Sequence, residues 1–243
     1  LDREVLIEGG PAVSRNTTAQ DLDSWLSSHG VSSALTRRDD TLAIIDDVND
    51  PDDPVNVGFI AQPINADDYP NVVSVGSIAQ QPLLFFARAD LGPKITLKEL
   101  QGKRVDIGAP DSTVNALASA ALAAYGINES NTDIRSRPLE KAIESVLTGE
   151  SDAMTTLLPP QTPLLGDLAR NPLLTIVDVQ YADALAARLG YVQPTAIPTG
   201  AFSLNPPIPA QDVVSVGIPI TIIADRTVPP ATTYLIAEFL QDQ

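Results

Sequence analysis

The stretch GKRVDIGAPDSTVNALASAALAAYG (Gly102–Gly126) sets a short strand before the turn Gly108-Ala109-Pro110, then Asp111, Ser112 and Thr113 ahead of an Ala-rich helix. Hydroxyls that donate and accept, beside the bare amides of a helix N-terminus, are suited to holding a small polar ligand. Asp111 cuts both ways. Its carboxylate is placed to cap the helix by accepting from amides near Thr113 and Val114, and a carboxylate at the mouth of a site repels an anion. A second loop, GGPAVSRNTT (Gly9–Thr18), follows a first strand at Gly-Gly. There Gly10 offers backbone amides at the carboxyl edge of a sheet, and Arg15 a fork for a carboxylate. Asn16 and Thr17 either join that loop's binding groups or cap the following helix. Gln62, Ser77, Gln80 and Gln81 fall at strand ends or turns, and side-chain amides that both donate and accept suit a neutral or zwitterionic solute.

Catalytic chemistry finds little support. His29 is the only histidine and sits near a helix end in SSHG, a structural setting, so a serine nucleophile has no evident base. There is no G-x-S-x-G elbow, no phosphate-binding G-x-x-x-x-G-K and no G-x-G-x-x-G. Asp46, Asp47, Asp50, Asp52 and Asp53 do not have the spacing of a calcium loop and read as a solvated acidic surface. Without cysteine, thiolate metal sites and disulfides are excluded. The expectation is a protein that binds and does not catalyse, with no cofactor and no metal.

The elements that must position these groups alternate between the two periodicities. Val5–Glu8 reads as a strand, and Thr18–His29 as a helix with Leu22, Trp25 and Leu26 on one face. Strands follow at Ser32–Thr36 and Val55–Ile60, with a short helix at Thr41–Val48 between them. Val72–Ser77 and Leu83–Arg88 read as two consecutive strands, and Val105–Ile107 as the strand before the Ala-rich helix. Helices at Pro138–Leu147, Gln161–Ala169 and Ala182–Leu189 alternate with strands at Ala153–Leu157 and Leu173–Val177. A Pro-rich segment, Pro194–Pro209, leads to the strand Val213–Ile223 and a last helix, Pro230–Leu240. This rhythm predicts an α/β fold with mixed, mainly parallel sheets flanked by helices.

The 243 residues are 44% hydrophobic and 19% charged, enough for a large core or two lobes. Their formal net charge of -16 repels phosphate backbones, so no nucleic-acid partner is expected. The chain opens at Leu1 with no basic segment before an apolar one, and so reads as a processed or excised piece. Its longest apolar run, Val213–Ala224, is interrupted by Gly217 and Pro219 and is short of the ~20 residues that span a bilayer.

Four segments in this order resemble the TAXI-type solute-binding proteins associated with TRAP transporters, within the type II periplasmic-binding superfamily. They are YPNVVSVGSIAQQPLLFFARAD (Tyr69–Asp90), TLKELQGKRVDIGAPDSTVNALASAALAAYGI (Thr96–Ile127), LTGESDAMTTL (Leu147–Leu157), and IPTGAF with DVVSVGIPITIIAD (Ile197–Asp225). The resemblance implies a two-lobed fold with two crossover hinge segments and a ligand cleft between lobes. Residues 1–86 with 199–243 would form one lobe and 87–198 the other. It implies an extracytoplasmic domain, monomeric in isolation, that captures a small polar metabolite of the amino-acid or carboxylate class for a membrane transporter. A ligand-sensing ectodomain fused to a membrane receptor or channel module, or an interaction module without transport, would use the same fold. By the same analogy Thr155 and Thr156 face the cleft, Arg88 lies near a crossover, and Phe202 lies on a lobe-linking segment. Asp111 and Thr113 stand where the family pattern has glycines, which points away from an acidic ligand.

Overall fold

Val5, Ile7 and Val57 place apolar side chains on one face of neighbouring strands, and the first layer of the fold is built from them. β1 (Val5–Gly9) runs parallel to β2 (Ser33–Arg37), with Val5 opposite Ser33 and Gly9 opposite Arg37, and parallel to β3 (Val57–Ile60). The computed structural model describes residues 4–10 and 13–242. Two long strands complete this sheet in the order β2-β1-β3-β12-β4: β4 (Val72–Arg88) and β12 (Val213–Asp225), the latter antiparallel to β3.

On one face of the sheet, α1 (Val13–Ser28) and α7 (Pro230–Gln241) bury Leu22, Leu26, Ile236 and Phe239 against Ile7, Phe59, Ile220 and Ile222. Trp25 adds a tether by donating its indole Nε1 to the Leu235 carbonyl at 3.1 Å. On the other face, α2 (Ile44–Asn49) packs Ile44, Ile45 and Val48 against Ile60, Val72 and Ile223. With both faces covered, β3 is apolar and buried along its whole length, as expected of a sheet flanked by helices.

The chain divides into two compact units, Leu1–Gln80 with Pro219–Gln243, and Gln81–Ile218. It therefore passes between units inside β4 and inside β12. In the second unit, β5 (Arg104–Asp106) lies parallel to β6 (Asp133–Arg135) and to β7 (Ala153–Leu157). The distal part of β4 runs antiparallel to β7, from Leu83 opposite Leu157 to Ala87 opposite Ala153, and also pairs with β8 (Leu174–Ile176). β9 (Gln193–Ile197) pairs antiparallel with the first part of β12. Flanking helices are α3 (Thr113–Ala124), α4 (Leu139–Thr148), α5 (Pro163–Arg170) and α6 (Ala182–Leu189). Leu84, Phe86, Val146, Met154, Leu165 and Leu168 form a core of this unit.

Some expected elements change. The two strands expected at Val72–Ser77 and Leu83–Arg88 are one strand of 17 residues. Pro82 does not break it, because it precedes the first pair with β7, so its missing N–H removes no bond of that ladder. Within the Pro-rich segment, β10 (Ser203–Leu204) and β11 (Pro207–Ile208) make a small antiparallel hairpin that the prolines conceal in the sequence. The first helix starts at Val13 rather than Thr18. Among the described residues no helix is long and apolar enough to cross a membrane.

Candidate functional site

In the second unit, β5 delivers the chain to the turn that precedes α3. Gly108 has φ +95° and Asp111 φ +59°, so the backbone doubles back twice within four residues. Ser112, not Asp111, caps α3: its Oγ accepts from the Asn115 amide at 3.3 Å and donates to the Ala109 carbonyl at 2.6 Å. The expectation of an Asp111 cap is thus corrected. The left-handed turn at Asp111 carries its carboxylate out to solvent and leaves the extended cap conformation to the next residue. Asn115 locks the turn by donating Nδ2 to the Gly108 carbonyl at 3.1 Å and to Ser136 Oγ at 2.9 Å. Thr113 is buried at the first turn of the helix.

Gly108 is fixed by space as well as by φ, since a Cβ there would stand 2.4 Å from Val114 Cγ1. Gly108→Ala is therefore expected to cost about 1–3 kcal/mol of stability. Urea denaturation reads the effect, and a change within ±0.5 kcal/mol would show that the turn relaxes freely.

Thr155 and Thr156 lie in the second half of β7, which runs parallel to β5. Thr155 Oγ1 donates to the Asp106 carbonyl at 3.2 Å, whereas Thr156 Oγ1 is buried without a hydrogen-bond partner. β4 enters the unit at the same edge: Gln81 lies two residues before Leu83, whose Cα partner is Leu157 near the end of β7. Gln81 is 0% exposed, and neither Nε2 nor Oε1 has a partner. An amide in this state forgoes all its hydrogen bonds, which is costly unless something supplies them.

Beneath lies an ionic group that the residue pattern did not signal. Asp106 is fully buried and accepts from Ser151 Oγ at 2.5 Å, with Arg137 Nε 3.5 Å away. Burial pushes the Asp106 carboxyl up, against the pull of Ser151 and Arg137. Arg137 also holds Glu150 at 2.7 Å, and Arg135 pairs with Asp133 at 2.7 Å, so these cations have carboxylate partners of their own.

In the first unit, Gly10 and Gln62 follow the parallel strands β1 and β3 and so share one edge. Gln62 Nε2 donates to the Leu42 carbonyl at 3.2 Å, while its Oε1 is buried and unpartnered. Gln80, the last residue of this unit on β4, has a buried Nε2 with no partner. Arg15, Asn16 and Thr17 fall on α1, and their side chains lie outside the described residues.

At the same edge Glu8, only 5% exposed on β1, faces Asp47 of α2. Arg38, just past β2, donates to Asp47. Burial first, then the neighbouring Asp47, push the Glu8 carboxyl up to about 8, with Asp53 adding to the rise and Arg38 opposing it. A buried acid at the end of an otherwise apolar VLIEG strand is the signal that marks Glu8 in the sequence.

Three expected residues stand apart from these edges. Arg88 lies at the far end of β4 from Gln81 and pairs with Asp90, its Nε donating to Oδ1 at 3.0 Å, with one face packed against Gly149. Phe202 packs against the second unit's core, its amide donating to the Ile208 carbonyl at 2.7 Å. Ser77 is exposed, with Oγ 3.2 Å from Thr221 Oγ1. Among the described residues no group of three or more His, Asp or Glu side chains is arranged to hold a metal ion.

Comparison with solved structures fixes the fold. The alkanesulfonate-binding protein SsuA from Xanthomonas axonopodis pv. citri, bound to MOPS, matches with a TM-score of 0.57 at 12% identity, over 98% of this chain and 70% of that one. An ancestral arginine-binding protein bound to arginine matches at 0.59 and 13%, over 99% and 92%. The BenM effector binding domain with its effector benzoate matches at 0.60 and 12%, over 98% and 90%. No curated protein matches the chain in sequence. The fold is the two-lobed α/β fold of the type II periplasmic-binding proteins. Residues 62–243, from the end of β3 through both long strands to α7, match the NMT1-like family, and the chain belongs to that family.

Proposed function

We propose that this chain is an extracytoplasmic solute-binding domain of the TAXI kind, which captures a small polar metabolite and passes it to a membrane transporter. The observation that carries the reading is Gln81, a fully buried amide with both polar atoms unpartnered, two residues before Leu83, which pairs with Leu157 at the end of β7. Gln62 Oε1 and Gln80 Nε2 in the first unit are unsatisfied in the same way. A solute that both donates and accepts would satisfy amides of this kind. Amides and hydroxyls left unpartnered among the described residues at these edges favour a neutral or zwitterionic solute of the amino-acid class over a simple anion. Structural relatives that bind arginine, benzoate and MOPS support capture of small molecules on this fold. The role is binding without a chemical step, and neither cofactor nor metal takes part.

The test is a thermal-shift screen of the chain against amino acids, dicarboxylates and amide-bearing metabolites. A ligand at 100 times its Kd stabilises the native state by about 2.7 kcal/mol, a readily measured rise in Tm. A zwitterion or neutral amide is expected to give that rise. No shift across the panel would reject solute capture, and a shift confined to dicarboxylates would reject the solute class.

A further inference from the structure

The two sheets present edges of unequal character. The β2 edge ends in Arg37, which pairs with Asp39 at 3.4 Å, and β6 is a three-residue strand carrying the Asp133–Arg135 pair. Charge and shortness are the usual guards against unwanted strand pairing. In the first unit β4 ends the strand order, and among the described residues no strand pairs with the side of Val72–Gln80 turned away from β12. The sequence there, VVSVGSIAQ, is about 30 Å of strand with no charge and no proline, rich in β-branched residues.

Beside this unguarded edge runs a groove of about 610 Å³ between β4 and α7, lined by Val73, Val75, Val228, Tyr234 and Ala237, with Arg226 at its wall. Tyr234 is 64% exposed, although it forms part of an apolar surface. A strand edge next to a helix with apolar pockets between them is the geometry by which an extended peptide adds to a sheet, backbone to backbone.

Charge selects among possible occupants. All four lysines lie in the second unit. The first unit has only Arg3, Arg15, Arg37, Arg38 and Arg226 against seventeen aspartates and glutamates. A second copy of this chain would bring the same acidic field and be repelled. We propose that Val72–Gln80 and its groove are a docking site for an extended, positively charged segment of a partner protein, which adds as a strand to β4.

Three synthetic peptides test this with the whole chain at low salt: alternating valine and threonine flanked by lysines, the same core flanked by glutamates, and the lysine-flanked peptide with a central proline. The lysine-flanked peptide is expected to bind saturably and to slow exchange at least tenfold at those amides within Val72–Gln80 that point away from β12. The glutamate-flanked and proline-bearing peptides should bind at least tenfold more weakly. Tyr234→Ala should weaken binding severalfold at unchanged Tm, and Arg226→Glu should strengthen it. Equal binding of the proline-bearing peptide would reduce the effect to charge attraction and overturn strand addition. Preference for the glutamate-flanked peptide would overturn the partner's charge. Concentration-dependent dimers that protect the same amides without peptide would replace the partner with a second copy, and no protection by any peptide would refute the site.

Discussion

Glu8→Gln is expected to stabilise the protein at pH 8 by on the order of 2–4 kcal/mol while leaving it unchanged below about pH 4.5. In the folded chain Glu8 holds its proton up to about 8, against an ordinary value of 4.5. Below pH 4.5 both folded and unfolded chains carry that proton, so the group costs nothing. As pH rises past 4.5 the unfolded chain releases it while the folded chain does not, and the unfolded state gains. The stability present at low pH is therefore lost progressively up to about pH 8, where the folded carboxyl also ionises beside Asp47. Glutamine preserves shape and a donor toward Asp47 without titrating, so its curve should be flatter across that window. Urea denaturation midpoints of both proteins between pH 4 and 9 read the effect. Parallel curves would show that Glu8 is ionised in the native protein at neutral pH.

Gln81→Leu should move stability and binding in opposite directions. Leucine fills nearly the same volume and removes two buried polar atoms that lack partners. Each unsatisfied group costs about 1–3 kcal/mol, so the unliganded variant is expected to be more stable by roughly that amount. If a solute satisfies the amide, the variant also loses one or two hydrogen bonds on binding, which lowers affinity tenfold or more at 1.4 kcal/mol per tenfold. Denaturation and calorimetry on the same preparations separate the two effects. A variant that is stabilised but binds the screened solute as tightly as before would remove Gln81 from the site. A destabilised variant would mean that its amide is already satisfied in the native state.

Local chemistry made the architecture legible, and burial hid much of the site. Alternating strands and helices were enough to indicate an α/β fold, whereas the two crossover segments came from the family resemblance. Pro82 misled the reading of β4 because a proline interrupts a strand only where its N–H is needed, and pairing is a tertiary fact. The cap of α3 was ambiguous for a similar reason: Asp111, Ser112 and Thr113 are all competent caps, and the left-handed backbone at Asp111 decided for Ser112. The resemblance set Arg88 near a crossover, yet Asp90 two residues on already satisfies it. Gln80 and Gln81 show the opposite case. A glutamine in a sequence is most often a solvated turn residue, and only the packing around it reveals an amide buried without partners.

The chain's two passages through β4 and β12 also fix the order in which the protein can be finished. The second unit is an unbroken stretch, Gln81–Ile218, and is complete as soon as that stretch has left the ribosome. The first unit begins earlier but lacks Ile220, Ile222, Ile236 and Phe239, which close its core over Ile7 and Phe59, until the last residues arrive. At 5–20 residues per second the unfinished half waits roughly 10–30 s with apolar strands uncovered. Of the two units, the one encoded first is thus the last to mature.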